Sequence, residues 1–99
     1  MRLSQQTQQI IRDTVREVFG IKAHVKVFGS RINDDARGGD IDLLVELPSV
    51  TADIERKTLH LTARLQLRIG EQPIDVLVID PATRQKSIHK QASMTGISL

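Results

Sequence analysis

Two aspartates, Asp40 and Asp42, open a run of Ile, Leu and Val that has the character of a β-strand. In a strand, residues i and i+2 share one face and lie roughly 6–7 Å apart. Two like charges near the interior of a sheet are unfavourable unless a cation or a strong donor accompanies them. Taken alone, the pair also fits a solvated strand start, because Asp is common near turns.

A third carboxylate and a phosphate-binding turn make a cation site the better interpretation. Asp75 opens a later Ile/Val-rich run, and Gly29-Ser30 follows an earlier one. Three clustered carboxylates suit Mg²⁺, and two such ions about 3.5–4 Å apart can serve an in-line phosphoryl or nucleotidyl displacement. Glycine permits close backbone approach to a phosphate, and the Ser hydroxyl can donate to it. Arg31 and Arg37 could neutralise further phosphate charge.

The helices and strands that position these residues are predicted from the periodicity of apolar residues and from the capping and Gly residues at the ends of the elements. An amphipathic helix is predicted over 4–19, capped by Ser4 or Thr7 and ended by Gly20. A second helix is predicted from Thr51 or Asp53 to Ile69, and a weak one over 83–95. The predicted strands are 21–28, 40–47 and 74–80, and 31–39 is predicted to be a loop.

This order predicts an α/β (α+β) fold with a small mixed sheet of three or more strands flanked by helices. The first two strands are separated by too few residues for a full crossover helix, which indicates an antiparallel pair or a short connection. If the second and third strands are neighbours, Asp75 lies beside Asp40 and Asp42 at one end of the sheet. Leu44 and Leu77 lie further along the same faces and are apolar, as core residues are.

Composition limits the function classes. The 99 residues predict one domain over 1–99, with 39% hydrophobic and 26% charged residues, as in ordinary soluble globular chains. There are two Phe and no Tyr, Trp or Cys, which argues against a base-stacking nucleic-acid platform, disulfides and a Cys-based zinc site. A net charge of +2 is weak support for nucleic-acid binding. No apolar run approaches membrane-spanning length, so a cytoplasmic location is expected.

The combined motif resembles a known family. Gly29-Ser30, nine intervening residues, Asp40-Ile41-Asp42-Leu43 and the later Asp75 resemble the polymerase-beta-type nucleotidyltransferase superfamily. The chain is most similar in kind to the minimal nucleotidyltransferases of bacteria and archaea, bare catalytic domains of about this length. The resemblance runs from the first helix to the strand that bears Asp75, and the tail beyond it carries no motif of its own.

The resemblance implies a role for each matching residue. Asp40 and Asp42 would bind two Mg²⁺ ions, and Asp75 would be the third carboxylate, placed to activate an attacking hydroxyl. Gly29 and Ser30 would hold the β- and γ-phosphates of a nucleoside triphosphate, most naturally ATP. Many members have a Ser before the first Asp and a loop one residue longer, whereas this chain has Gly39, so the resemblance does not fix the geometry of Arg31 and Arg37.

The resemblance also implies a partner. Such minimal enzymes are typically encoded beside a small all-helical protein, a HEPN-type toxin or a substrate-binding subunit. The pair would be a toxin–antitoxin module in which AMP is transferred to the partner, or a two-part transferase. Two alternatives stay open: a pseudoenzyme antitoxin that acts by binding alone, and a nucleic-acid-binding module, which the missing aromatics and the acidic cluster disfavour.

The remaining polar residues are predicted to be structural. His24, His60 and His89 show no metal-ligand spacing. The basic residues of the second helix are predicted to be its solvated face, with contact to an acidic partner as the alternative. These are Arg56, Lys57, Arg64 and Arg68. The other acidic residues are expected at surface or capping positions: Asp34, Asp35, Glu46, Asp53 and Asp80.

Overall fold

The computed structural model describes residues 3–28, 41–70, 73–83 and 96–99. In chain order the elements are α1 (Gln5–Phe19), β1 (His24–Phe28), β2 (Ile41–Glu46), α2 (Ile54–Ile69), β3 (Ile74–Ile79) and β4 (Ile97–Ser98). The predicted loop over 31–39 and almost all of the predicted helix over 83–95 lie outside the described residues.

Helix α1 begins and ends where the sequence predicts. The Ser4 hydroxyl accepts a hydrogen bond from the Thr7 N–H at 3.1 Å, which satisfies one of the first-turn donors. Gly20 follows the last turn with φ of +102°, and its N–H donates to the Arg16 carbonyl. A side chain is strained at that φ, so glycine is the residue that ends this helix cleanly.

Helix α2 starts slightly later than predicted. Asp53 occupies the capping position with φ of +58° and ψ of 34°, but its carboxylate accepts no backbone N–H. That carboxylate instead accepts a 3.2 Å bond from Nη2 of Arg56. Residues 51–53 therefore form an entry turn, and Asp53 is an exposed residue at the capping position, as predicted.

The four strands form one mixed sheet in the order β3-β2-β1-β4. β1 runs antiparallel to both β2 and β4, while β2 and β3 are parallel. The predicted mixed sheet is confirmed. The second and third predicted strands are neighbours, which is the condition under which Asp75 lies beside Asp42. β4 was not predicted; its two residues pair with Val27 and Lys26 of β1.

One face of the sheet packs against both helices. Ile11 and Val15 of α1 and Leu61 and Leu65 of α2 are fully buried, as their helical spacing predicts. They share one apolar cluster with alternate residues of the strands, whose inward side chains are Val25, Val27, Ile41, Leu43, Val45 and Ile74. The opposite face carries Asp42, Leu44, Asp75 and Leu77, since strand neighbours alternate between faces.

Strand β1 is three residues shorter than predicted. The alternating pattern begins at Ile21, yet Ile21 is 83% exposed and the first ladder pair is His24 with Glu46. β2 ends at Glu46, and the Leu47 N–H donates instead to the Ile79 carbonyl on β3. In the part of the chain that the structure describes, no strand lies opposite residues 21–23, and alternation alone is not enough to form a ladder.

Two basic residues of α2 contact α1, which the sequence did not predict, although Arg56 and Arg68 are exposed as the prediction of a solvated face expects. Arg68 donates through both Nη atoms to the Glu17 carboxylate of α1, at 2.5 and 3.2 Å, and to the buried Thr14 hydroxyl at 2.9 Å. Arg64 lies 3.7 Å from the same carboxylate. The Arg68 hydrogen bonds lower the pKa of Glu17 from its ordinary value. Arg64 and Arg68 therefore link α2 to α1 through Glu17.

Asp80 is a structural carboxylate at the end of β3. It accepts hydrogen bonds from the Thr51 and Ala82 N–H groups, each at 2.9 Å, and from the Thr83 hydroxyl at 3.1 Å. These bonds, the one from Thr51 first, lower the pKa of Asp80. The predicted surface or capping role is thereby refined, because one carboxylate ties the turn after β3 to the entry of α2.

The lowered pKa of Asp80 gives a pH-dependent prediction. Its contribution to stability is complete above the unfolded value of about 3.9 and is lost as the pH falls through the lower folded value. We expect Asp80→Asn to lower the Tm by a few degrees at pH 7, and the difference between the two Tm values to shrink as the pH falls below about 3.9. Thermal melts from pH 7 downward test it, with Asp13→Asn as control because the exposed Asp13 carboxylate accepts a hydrogen bond from Gln9 on the same helix. A Tm difference that stays constant with pH would contradict this role.

Candidate active site

The sheet places Asp42 and Asp75 side by side. In the parallel ladder of β2 and β3 they are register partners, one residue after Ile41 and Ile74. Adjacent strands lie about 4.8 Å apart, and directly paired residues project from the same face. The two carboxylates are therefore neighbours at one end of the sheet, on the face away from α1 and α2.

The fold supports this pairing from both sides. The Ile41 N–H donates to the Pro73 carbonyl at 2.9 Å, so the parallel ladder closes at the position just before the two aspartates. On the helix side, Ile41 is fully buried and Ile74 nearly so, which anchors both strand starts in the core. A register shift of one residue would exchange the two faces of a strand and bury its aspartate, so core packing specifies the pairing.

The acidic pair borders an apolar surface. Asp75 is exposed and Asp42 is half-buried. Two residues further along, Leu44 is fully buried against Leu77, with Phe28 and Ile79 in the same cluster. Charges at the border of a low-dielectric surface interact more strongly with ions than fully solvated charges do. The arrangement thus strengthens attraction to a cation that approaches from solvent.

These two carboxylates fit a hard divalent cation. Ionised carboxylates offer only oxygen lone pairs, and Mg²⁺ prefers oxygen ligands and retains several waters. Within 3–28, 41–70, 73–83 and 96–99 there is no group of three or more potential metal ligands. Of the three predicted ligands, Asp42 and Asp75 are neighbours on adjacent strands. The third, Asp40, lies outside the described residues.

The other predicted site residues also lie outside the described residues. They are Gly29, Ser30, Arg31 and Arg37. The segment that carries them, 29–40, is bounded by Phe28 and Ile41, the last described residue of β1 and the first of β2. Phe28 is itself the register partner of Asp42, so the described end of β1 lies at the acidic end of the sheet.

Phe28 is the site neighbour that sequence reasoning did not single out. It forms one row across three strands with Asp42 and Asp75. Alternation already places it on the polar face of β1, opposite Val25 and Val27. The sequence did not give the register between β1 and β2, because local residue types do not encode it.

Neither described histidine adds a metal ligand. His24 and His60 are exposed, on β1 and α2, and the Nε2 atom of His60 accepts a 3.0 Å bond from Nε of Arg64. His89 lies outside the described residues. In the described part of the chain, neither helix is long and apolar enough to cross a membrane.

Comparison with known proteins identifies a family. A family model described as nucleotidyltransferase domain matches residues 9–96, from α1 to the residue before β4. No curated protein shows significant similarity to the chain. The family model covers 88 of the 99 residues.

Proposed function

Because this chain belongs to the nucleotidyltransferase domain family, we propose that it transfers a nucleoside monophosphate, AMP from ATP, to a hydroxyl acceptor. The observation that carries the proposal is the register pairing of Asp42 with Asp75. Two like charges that pair directly across neighbouring strands are unfavourable unless a cation accompanies them, and Mg²⁺ bound to a triphosphate takes such oxygen ligands.

In this reaction the acceptor oxygen attacks the α-phosphorus of ATP. The bond from that phosphorus to the bridging oxygen breaks, and pyrophosphate leaves with the bonding electrons. Bound Mg²⁺ would supply charge neutralisation at the phosphate oxygens. Asp42 and Asp75 would hold the metal together with Asp40, and Asp75, the exposed member of the pair, would receive the hydroxyl proton.

The triphosphate would be held by the segment between β1 and β2. On the family motif, Gly29 and Ser30 would bind the β- and γ-phosphates, with Arg31 and Arg37 as further cationic contacts. The position of Phe28 beside Asp42 supports this assignment, because Gly29 is its next neighbour in the chain. The assignment as a whole belongs to the proposal.

We propose a small all-helical protein as partner and acceptor, in a toxin–antitoxin pair or a two-part transferase. Its support is an exposed apolar stripe on α2: Leu59 is 73% exposed and Leu67 is 86% exposed, with exposed Ala63 between them. Their spacing of four residues places them on one helix face, and Arg56 and His60 flank them. A partner helix with an apolar stripe and acidic flanking residues complements this surface.

Co-expression with a candidate helical partner tests this part of the proposal. We expect a stable complex, and a partner whose intact mass rises by one or more AMP units. Leu67→Glu should abolish the complex, because a charge would be buried in the contact. The matched control is Val50→Glu, since Val50 is also exposed, at 69%, but lies in the loop after β2. No complex and no adduct with any candidate would remove the partner proposal.

The same experiment separates catalysis from neutralisation by binding alone. If the partner is neutralised through AMP transfer, Asp75→Asn leaves the complex intact and the partner unmodified and active. If binding alone suffices, Asp75→Asn neutralises the partner as well as the wild type does. The exposed stripe on α2 is the observation that keeps this second function open.

A further inference from the structure

A second charged feature lies at the other end of β1. A cavity of about 150 Å³ opens between the C-terminal half of α1, the turn before β1 and Leu99. Its lining includes Arg12, Arg16, Lys22 and His24, and none of its described lining side chains is acidic. From His24 to Phe28 the strand rises by about 13 Å, so this cavity is separate from the acidic pair.

The cationic groups around this cavity have no acidic partner among the described residues. On α1, Asp13 accepts from Gln9, and Glu17 is engaged by Arg68 and Arg64 on the flank facing α2. Arg12 donates to the neutral Gln9 Oε1 at 2.6 Å. In the described part of the chain, neither Arg16 nor Lys22 forms a salt bridge through its side chain.

The positive charges at this cavity are clustered rather than interspersed with negative charges. Arg12 and Arg16 are one helical turn apart, and like charges at i and i+4 destabilise a helix. Lys22 adds a third positive charge at the same cavity. A bound anion would convert this repulsion into attraction, and guanidinium groups match the oxygens of a phosphate in pairs.

The cavity's size indicates the kind of anion. Pockets that enclose a whole drug-sized ligand measure roughly 300–1,000 Å³, well above this cavity. A nucleic-acid footprint is a basic stripe along a surface, whereas these groups converge on one cavity. We propose that this cavity binds the phosphate group of a small phosphorylated ligand, free inorganic phosphate included, independently of nucleotidyl transfer.

An NMR titration of the whole chain tests this site. Inorganic phosphate and glycerol phosphate are titrated in turn while amide shifts of residues 12, 16 and 22–25 are followed, with chloride at matched ionic strength as reference. We expect saturable shifts there with both probes and none with chloride. Tighter binding of glycerol phosphate identifies an organic phosphate as the ligand, and equal or weaker binding identifies the free anion.

Variants decide whether the named residues do the binding. Arg16→Gln and Lys22→Gln should each weaken phosphate binding roughly tenfold, the loss expected for a charge-assisted hydrogen bond. Arg56→Gln is the matched control, because Arg56 is exposed on α2 and pairs with Asp53. Unchanged affinity in both variants, or equal shifts with chloride, would overturn the proposal. A short RNA that binds these residues more tightly than either probe, with a steep salt slope, would overturn it in favour of nucleic acid.

Discussion

Asp42→Asn and Asp75→Asn should each lower nucleotidyl transfer by more than a hundredfold while the domain stays folded. Loss of a group that only orients a metal ligand costs roughly 10–100-fold, so loss of a ligand itself should cost more. Asparagine preserves the shape of each side chain but removes the charge that holds a cation. Because the two residues are register partners on β2 and β3, the structure predicts similar losses for both.

The control for this pair lies on the same strand and the same face. Glu46 is half-buried, four residues after Asp42, and its carboxylate lies 2.9 Å from Nζ of Lys26. Glu46→Gln should leave transfer unchanged, because this carboxylate is far from the acidic end of the sheet. Release of labelled pyrophosphate or transfer of labelled AMP measures all three variants, and full transfer by Asp42→Asn would contradict the site.

Magnesium should also stabilise the wild type more than either variant. A ligand that binds only the folded state at ten times its Kd adds about 1.4 kcal/mol. In a domain of this size, that corresponds to a rise in Tm of roughly 6–11 °C. Melts with and without Mg²⁺ give this difference without any acceptor, so they test the site even while the acceptor is unidentified. Equal Mg²⁺ stabilisation of wild type and Asp75→Asn would count against the metal ligands named here.

Leu44→Ala should destabilise the domain by about 2–5 kcal/mol, the range for truncating a fully buried leucine. Leu44 has no exposed surface, although it lies on the face away from α1 and α2. It packs with Leu77 and Ile79 on the face that carries the two aspartates, further along the strands. β2 therefore has buried residues on both faces. The expected fall in Tm is at least about 8 °C.

A second leucine supplies the control for this substitution. Leu67 on α2 is highly exposed, so Leu67→Ala should change stability by no more than about 0.5 kcal/mol. Chemical denaturation of both variants beside the wild type gives the comparison. If Leu44→Ala lowered the free energy of unfolding as little as Leu67→Ala does, the packing of Leu44 with Leu77 and Ile79 would not stabilise the domain as proposed.

Local signals predicted most of the fold. Ser4 and Gly20 define both ends of α1, and the apolar stripes of both helices match the residues that are buried. The sequence-based predictions failed where the structure depends on pairing between residues far apart in the chain. Residues 21–23 alternate like a strand but have no partner, because β2 ends opposite His24. The two residues of β4 carry no local strand signal and pair with β1 from 70 positions away or more.

The candidate site shows the same division. Residue types and spacing identified Asp42 and Asp75 as neighbours, but their exact pairing depends on the parallel register, which local sequence does not encode. The contact of Arg68 with Glu17 spans 51 positions, and the sequence suggested only a solvated basic face for α2. Asp40, Gly29, Ser30, Arg31 and Arg37 remain predictions from the motif.

Calorimetric titration of ATP, with Mg²⁺ and then in EDTA, tests the central claim most directly. We expect ATP to bind at least about tenfold more tightly with Mg²⁺, because Asp42 and Asp75 repel an uncompensated triphosphate and bind one that carries the metal. Asp75→Asn should reduce that difference, and Glu46→Gln should preserve it. Equal affinity for ATP in Mg²⁺ and in EDTA would contradict a metal-dependent nucleotide site at this end of the sheet.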